Sequence, residues 1–300
     1  MSLQTFLNLA AEQNSRHAQN IAAASATLTD EENNALKQLF DFLCSYFKYD
    51  IRQIVDAYLA LVDSLTEQQM NFMRTGKYQN STFEEVEHYY EDGKIMKNYV
   101  IGFAVSLYLW PHHMEVMRFY KKNIREGKGR EGKGSYLEIG PGHGHLLVTA
   151  MGNSNFDSYT AVDISQTSVD TTASYVKYCL PGSNNYAVLR KNFFDFDSSE
   201  KFDALVMGEV LEHVEEPEKF LRKIRELAAD DAFIYISTAV NAPQFDHIHH
   251  FHSVEEVEDM FTRCGLKVAD KIYGIANGVS LDKAVKKKYA IVPAYVLSKI

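Results

Sequence analysis

Cysteine is scarce, with three in 300 residues. Cys44, Cys179 and Cys264 lie far apart, and an odd number leaves one without a partner in the chain. A disulfide framework is excluded, and a reducing, cytoplasmic setting with inert or buried thiols is expected. Basic charge is also short: 31 Lys and Arg stand against 40 Asp and Glu, a net charge of −9. That balance, with no basic patch interleaved with aromatics, argues against a nucleic-acid binder. The run Lys286-Lys287-Lys288 is short and reads as a solvated face. Long apolar runs are missing too. The segment from Tyr99 to Trp110 is too short to span a bilayer and is interrupted by Gly102 and Ser106, so no membrane partner is expected. The first residues lack the basic stretch and apolar core of a secretory signal. There is no G-x-S-x-G elbow, no G-x-x-x-x-G-K-[ST] phosphate loop and no C-x-x-C pair. Glu209 and Glu212, three apart, imitate an acid/base pair, but no second feature supports that reading beside pocket wall or capping.

What is present falls into two parts. Residues 1–125 read as helical. Thr29 with Glu32 forms a capping box. Leu36, Leu39, Phe40, Leu43 and Phe47 then follow helical spacing, as do Ile51, Ile54, Val55, Tyr58 and Val62. Ile95 to Leu109 is apolar nearly all round, which predicts a helix buried between partners. Residues 126–133, Glu-Gly-Lys-Gly-Arg-Glu-Gly-Lys, read as a flexible linker. From residue 134 onward apolar runs alternate with helical patterns, the signature of an α/β fold.

The most informative stretch is Leu137-Glu138-Ile139-Gly140-Pro141-Gly142-His143-Gly144. An apolar strand breaks into alternating glycines, and a helical pattern starts at His145. Strand, glycine turn and helix open a nucleotide-type fold, since glycine lets the chain turn sharply and a ligand touch the backbone. A dinucleotide fingerprint spaces its glycines G-x-G-x-x-G. Here the third glycine, Gly144, comes one residue early, and His145 stands where that pattern needs glycine. Glu138 aims a carboxylate at the loop, which disfavours a pyrophosphate and favours a ligand with positive charge.

The pattern E-x-G-x-G-x-G resembles the first motif of class I S-adenosylmethionine (SAM) methyltransferases. The segment Glu209-Val210-Leu211-Glu212-His213 resembles the family's EVLEH segment, and the likeness covers residues 134 to 275 well. It implies a Rossmann-like, seven-stranded, mostly parallel sheet flanked by helices, with the last strand (Tyr289 to Leu297) antiparallel and the N-terminal half an all-helical cap. It also implies SAM as cofactor, held by Glu138, Gly140, Pro141, Gly142 and Gly144. Asp163, at the end of the strand Tyr159 to Asp163, is placed to grip two ribose hydroxyls, followed by Ile164; its alternative role is a helix N-cap. Asn192 and Phe193 would face the adenine. The family often has aspartate at the first of these, so the uncharged Asn192 is a departure. Gly208, Glu209 and Val210 would line the methyl-donor pocket.

The acceptor side is read from aromatics and histidines. Tyr90, Tyr99 and Trp110, with His113, resemble helical segments that cover the pocket in some small-molecule methyltransferases; plain core packing is the alternative. A lid suits the chemistry, because water must be kept from a reactive sulfonium. The loop Thr238 to His252 should form the acceptor wall, with His250 in it. Its cluster Asp246-His247-Ile248-His249-His250-Phe251-His252 carries four histidines. In one reading Asp246 orients His247, which takes a proton from the acceptor. In a second, alternate histidines bind a divalent metal. In a third they are polar loop residues. His213 is a further base candidate, and no metal ligand is assigned. The expectation is a SAM-dependent methyltransferase acting on a small molecule at oxygen, nitrogen or carbon, with a homodimer through the helical half as a further possibility. A catalytically silent SAM-binding or partner-binding protein is the alternative, and an NAD-dependent oxidoreductase a weaker one.

Overall fold

A computed structural model describes residues 2–126 and 134–300. Of the stretch expected to be a linker, residues 127–133 lie outside the described residues.

The alternation of side chains along each strand dictates a two-faced sheet. Strand β1 (Ser135–Ile139) sends Tyr136 to one face and Leu137 and Ile139 to the other, and strand β4 (Phe202–Gly208) does the same with Ala204 and Val206 against Leu205 and Met207. Both strands are nearly continuous apolar runs, as strands covered on both faces must be. The remaining strands are β2 (Ser158–Asp163), β3 (Tyr186–Arg190), β5 (Ala228–Ser237), β6 (Leu266–Ile275) and β7 (Ile291–Lys299). Their order is β3-β2-β1-β4-β5-β7-β6. β7 runs antiparallel to both neighbours, β5 and β6, and the other pairings are parallel, as expected for the last strand. β1 pairs with β2 on one side, Leu137 opposite Thr160, and with β4 on the other, Leu137 opposite Leu205. The chain therefore reverses its direction of travel across the sheet between β1 and β4, and at such a switch point the loops at the strands' carboxyl ends splay apart to leave a crevice.

The helical half comprises α1 (Leu3–Gln13), α2 (Ser15–Ser25), α3 (Asp30–Phe47), α4 (Ile51–Thr75), α5 (Phe83–Glu91) and α6 (Gly93–Leu109). The Thr29–Glu32 capping box forms as read: Thr29 N–H donates to Glu32 Oε2 at 2.8 Å and Glu32 N–H to Thr29 Oγ1 at 3.2 Å. Phe6 stacks on Phe40 with centroids 5.1 Å apart, and Tyr58 meets Phe6 edge-on at 5.4 Å. α1, α2 and α5 were not picked out by periodicity. α5 nonetheless carries its own capping box, Thr82 with Glu85.

α7 (Pro111–Glu126) covers the sheet. Val116, Tyr120 and Ile124 pack with Tyr136, Val206 and Tyr235, alongside residues of α8 (His145–Asn153) and α9 (Gln166–Cys179). The opposite face carries α10 (Pro217–Leu227), α11 (Val254–Arg263) and α12 (Leu281–Lys287). The helical half is joined to the sheet through α9, whose Tyr175 is part of the helical core and lies 4.8 Å from the ring of Phe42. α6, apolar nearly all round as its sequence requires, packs on α4, and Gly102 sets their spacing. A Cβ at Gly102 would stand 2.5 Å from Leu61 Cδ2 and 2.8 Å from Leu61 Cβ. Gly102→Val is therefore expected to lower stability by ~1–3 kcal/mol through overpacking. Denaturant unfolding checks this, and an unchanged midpoint would show that the two helices are free to separate.

Candidate active site

The loop after β1 turns through three glycines with positive φ: Gly140 (67°), Gly142 (55°) and Gly144 (80°). Side chains are disfavoured in this conformation, so the spacing found in the sequence is a backbone requirement. Gly140 is also a point of close approach, because a Cβ there would lie 2.6 Å from Val210 Cγ2 in the loop after β4. At Gly142 a Cβ would meet nothing within 4 Å. The backbone there faces open space.

That space is a cavity of about 630 Å³ at the carboxyl ends of β1, β2 and β4. Of the residues assigned from sequence, Gly140, Gly142, Asp163, Ile164, Asn192, Phe193, Glu209 and Val210 line it, together with Tyr90, Tyr99 and His213. Glu138, Pro141, Gly144 and Gly208 do not. Three residues meant for the acceptor wall point elsewhere. Trp110 donates its indole N–H to Tyr58 Oη at 2.7 Å. His113 pairs with Ser106 Oγ at 2.8 Å, and His250 stacks on Tyr78 at 4.4 Å and bonds Asn241 Oδ1 at 2.9 Å. For Trp110 the reason is the helical core, where its indole N–H finds an acceptor in the Tyr58 hydroxyl, which also pairs with His17 Nε2 at 2.7 Å. Of α5, Tyr90 alone is named from the sequence; the helix also contributes Phe83, Glu84 and Glu87. Its capping box was the available signal.

The cavity is acidic. Glu84, Glu87, Asp163, Glu209, Glu215 and Glu216 line it, against Lys191. Asp163 Oδ2 accepts the Gly142 N–H at 3.2 Å and Oδ1 the Ser165 N–H at 2.9 Å. The N-cap of α9 is Ser165, whose side chain accepts from Ser168 N–H, so the capping role weighed for Asp163 belongs to its neighbour. Burial pushes Asp163 up to about 6, its backbone hydrogen bonds working the other way. Asn192 Oδ1 accepts the Phe194 N–H at 2.9 Å, which holds the loop after β3.

Glu138 is fully buried. Its Oε2 accepts from Tyr136 Oη at 2.6 Å, and its Oε1 has no partner. Burial pushes its carboxyl up to about 8. After β4, Glu209 adopts a left-handed backbone (φ 54°), strain of the kind that collects at functional sites. Burial raises Glu209 and Glu212, and the charge of Glu212 raises Glu209 further. The Glu212 carbonyl accepts from both Ile248 and His249 N–H at 2.9 Å, which binds the β4 loop to the β5 loop.

That tie rearranges the expected dyad. Asp246 does not orient His247. Its Oδ1 accepts from Gln244 Nε2 at 2.7 Å, and its Oδ2 accepts from Tyr90 Oη at 3.3 Å and lies 3.4 Å from His213 Nδ1. His213 Nδ1 also lies 3.1 Å from the Asp246 carbonyl and 3.1 Å from Tyr90 Oη. His247 is instead fixed by the Ala242 carbonyl, 2.7 Å from its Nδ1. The rings of His213 and His247 meet edge to face at 4.6 Å. Burial holds His247 well below the usual histidine range, and His213 adds to this. The histidines that come together are thus His213 and His247, from two loops, rather than alternating residues of one.

A glycine turn at a sheet switch point, a carboxylate at the end of β2, and an acidic cavity beneath α5 define an α/β protein with its site at the carboxyl ends of the strands. Residues 111–271 match the family described as "Methyltransferase domain", and the chain belongs to that family. Its fold is similar to that of the cyclopropane synthase MmaA2 from Mycobacterium tuberculosis (TM-score 0.55, 12% identity, 74% of this chain and 99% of that one). It is similar also to the mitomycin 7-O-methyltransferase MmcR (TM-score 0.54, 13% identity, 79% and 68%). A third similar structure is the N-methyltransferase NodS from Bradyrhizobium japonicum WM9 in complex with S-adenosyl-L-homocysteine (TM-score 0.50, 15% identity, 72% and 98%). No curated protein matches the chain. Among the described residues no helix is long and apolar enough to cross a membrane.

The buried Glu138 gives a pH test. Its folded pKa lies above the unfolded value of 4.5, so the native state holds the proton more tightly. The stability this confers is full below pH 4.5 and is lost as pH rises toward 8. Glu138→Gln cannot lose a proton, so it is expected to lose less stability than the wild type between pH 5 and pH 8 in urea unfolding. Equal losses would show that Glu138 is ionised without cost.

Proposed function

We propose that this methyltransferase uses SAM as methyl donor and methylates a small-molecule acceptor enclosed beneath α5 and α6. The observation that carries the reading is the acidic cavity built on the glycine turn: half-buried Asp163 and Glu209, with exposed Glu84, Glu87, Glu215 and Glu216 at the edge, line a space into which a glycine backbone, not a side chain, projects. A pyrophosphate would be repelled there, whereas a sulfonium and an ammonium are attracted. The residues fit the donor. Asp163 presents a carboxylate to the ribose, Gly140 and Gly142 admit the ligand against the backbone, Asn192 and Phe193 stand at the adenine end, and Glu209 has a buried oxygen, Oε1, with no partner.

When bound, SAM supplies an electrophilic methyl group on a positively charged sulfur. The protein's part is positioning and desolvation. Tyr90 and Tyr99 form the acceptor side of the wall, and the Tyr90 hydroxyl, near both Asp246 and His213, holds the lid helix against the two catalytic loops. Closing these walls excludes water and strengthens each polar interaction inside. His213 lines the cavity, with Asp246 as its positioning residue, and His247 lies behind it; these are the groups for managing the acceptor's proton. A cavity edged with acidic side chains suits a small acceptor and not a nucleic acid.

Calorimetry is expected to show SAM binding in the micromolar range and NAD binding much more weakly. Asp163→Ala should weaken SAM binding by ~1.5–3 kcal/mol, the loss of charge-assisted hydrogen bonds. The carboxylate must be ionised to accept from both hydroxyls, so wild-type affinity should rise with pH through about 6. This rise should be smaller in Asp163→Asn. Tighter binding of NAD than of SAM would overturn the reading.

A further inference from the structure

His213 at the wall of the cavity, with the groups buried behind it, can do more than accept a proton. One ring nitrogen of His213, one of His247 and a carboxylate oxygen of Glu212 lie within 4.8 Å of one another. Two further observations show that they are prepared as ligands. The first is the state of the rings. The Nδ1 of His247 lies 2.7 Å from the Ala242 carbonyl and the Nδ1 of His213 lies 3.1 Å from the Asp246 carbonyl. A carbonyl only accepts, so each Nδ1 carries the proton and each Nε2 keeps its lone pair. This is the arrangement of metal-bound histidine, whose second nitrogen donates to a carbonyl or carboxylate. The second is the carboxylate. Glu212 is fully buried, its Oε2 accepts from Thr238 Oγ1 at 2.6 Å, and its Oε1 has no partner. Glu209, beside it, also has a buried oxygen without a partner. Two buried carboxylates with unspent lone pairs are costly unless a cation joins them.

We propose that Glu212, His213 and His247 form a binding site for one first-row divalent ion, such as Mn, Co or Zn, at the wall of the methyl-acceptor cavity. Two imidazoles and one carboxylate select this class over magnesium or calcium, which prefer all-oxygen ligands. An ion about 2.1 Å from each of three donors holds neighbouring donors about 3.4 Å apart in tetrahedral geometry, so the set closes on it by rotation of the side chains. Three protein ligands leave positions open, and His213 places the ion against the cavity. The inference rests on the methyltransferase reading and deepens it: the ion would bind an acceptor oxygen, lower the pKa of its hydroxyl and let the proton leave to solvent. The acceptor class is then a hydroxylated small molecule able to reach an ion through oxygen.

The test uses the full chain, stripped with chelator and titrated with Co2+ alone, read by visible absorption and calorimetry. Saturation at one ion per chain is expected, with His247→Ala and Glu212→Gln each weakening affinity at least tenfold. His252→Ala, on the exposed end of the histidine loop, should match the wild type. Binding of S-adenosylhomocysteine by each variant, measured in parallel, shows that it is folded. Absence of saturable Co2+ binding overturns the site whatever the nucleoside result. Equal weakening by His252→Ala overturns it too, by moving the ion to the loop. One Co2+ per chain with no S-adenosylhomocysteine bound to any form would uphold the metal site and overturn the donor reading instead, folding then being judged by thermal unfolding.

Discussion

The contact between the two loops at the sheet's switch point is the constraint on which the rest of the site depends. Gly140 can approach Val210 only because it has no side chain, and only at a positive φ does the chain leave β1 and enter α8 in so few residues. β1 and β4 are hydrogen-bonded neighbours at the centre of the sheet, so their carboxyl ends cannot move apart. Their loops therefore form a fixed floor. Asp163 extends that floor from β2 and fastens it by accepting the Gly142 N–H.

On this floor the protein concentrates negative charge. Buried or half-buried carboxylates cost free energy unless they are paired. Here several are pushed toward the neutral form, and three carry a buried oxygen that finds no partner in the chain. That cost is relieved by a proton or by a cation. The helical half completes the enclosure from above. α5 reaches the site because it precedes α6, whose apolar surface is held between α4 and the α9 side of the sheet domain. The same burial that fixes α6 takes Trp110 and His113 away from the cavity and into the core.

The central chemistry was legible because it is local. Strand, glycine turn and helix lie within about twenty residues. Glu138, expected to face the ligand, is instead buried against Tyr136, and the carboxylates that line the cavity come from other elements. The individual strands follow from apolar runs and glycine stops, whereas their number and the antiparallel β7 were implied by the family resemblance. Three things were not legible. The pairing of His213 with His247 depends on the Glu212 carbonyl accepting two amides from the β5 loop, a long-range contact that no spacing rule contains. Asp246 was assigned to its sequence neighbour, whereas the turn at Gln244 directs it to Tyr90 and His213. Trp110 resembles a pocket aromatic in sequence, and only the position of Tyr58 shows that its indole N–H is spent in the core.

The proposed methyl-donor site is one cavity, floored by Gly140 and Gly142 and walled by α5. A crystal structure of the chain with S-adenosylhomocysteine tests this most directly. The nucleoside should lie across the carboxyl ends of β1, β2 and β3, with the Asp163 carboxylate within hydrogen-bonding distance of the ribose hydroxyls and its sulfur facing the side of the cavity lined by Tyr90 and His213. A nucleoside bound outside this cavity, or lying there with Asp163 turned away from the ribose, would contradict it.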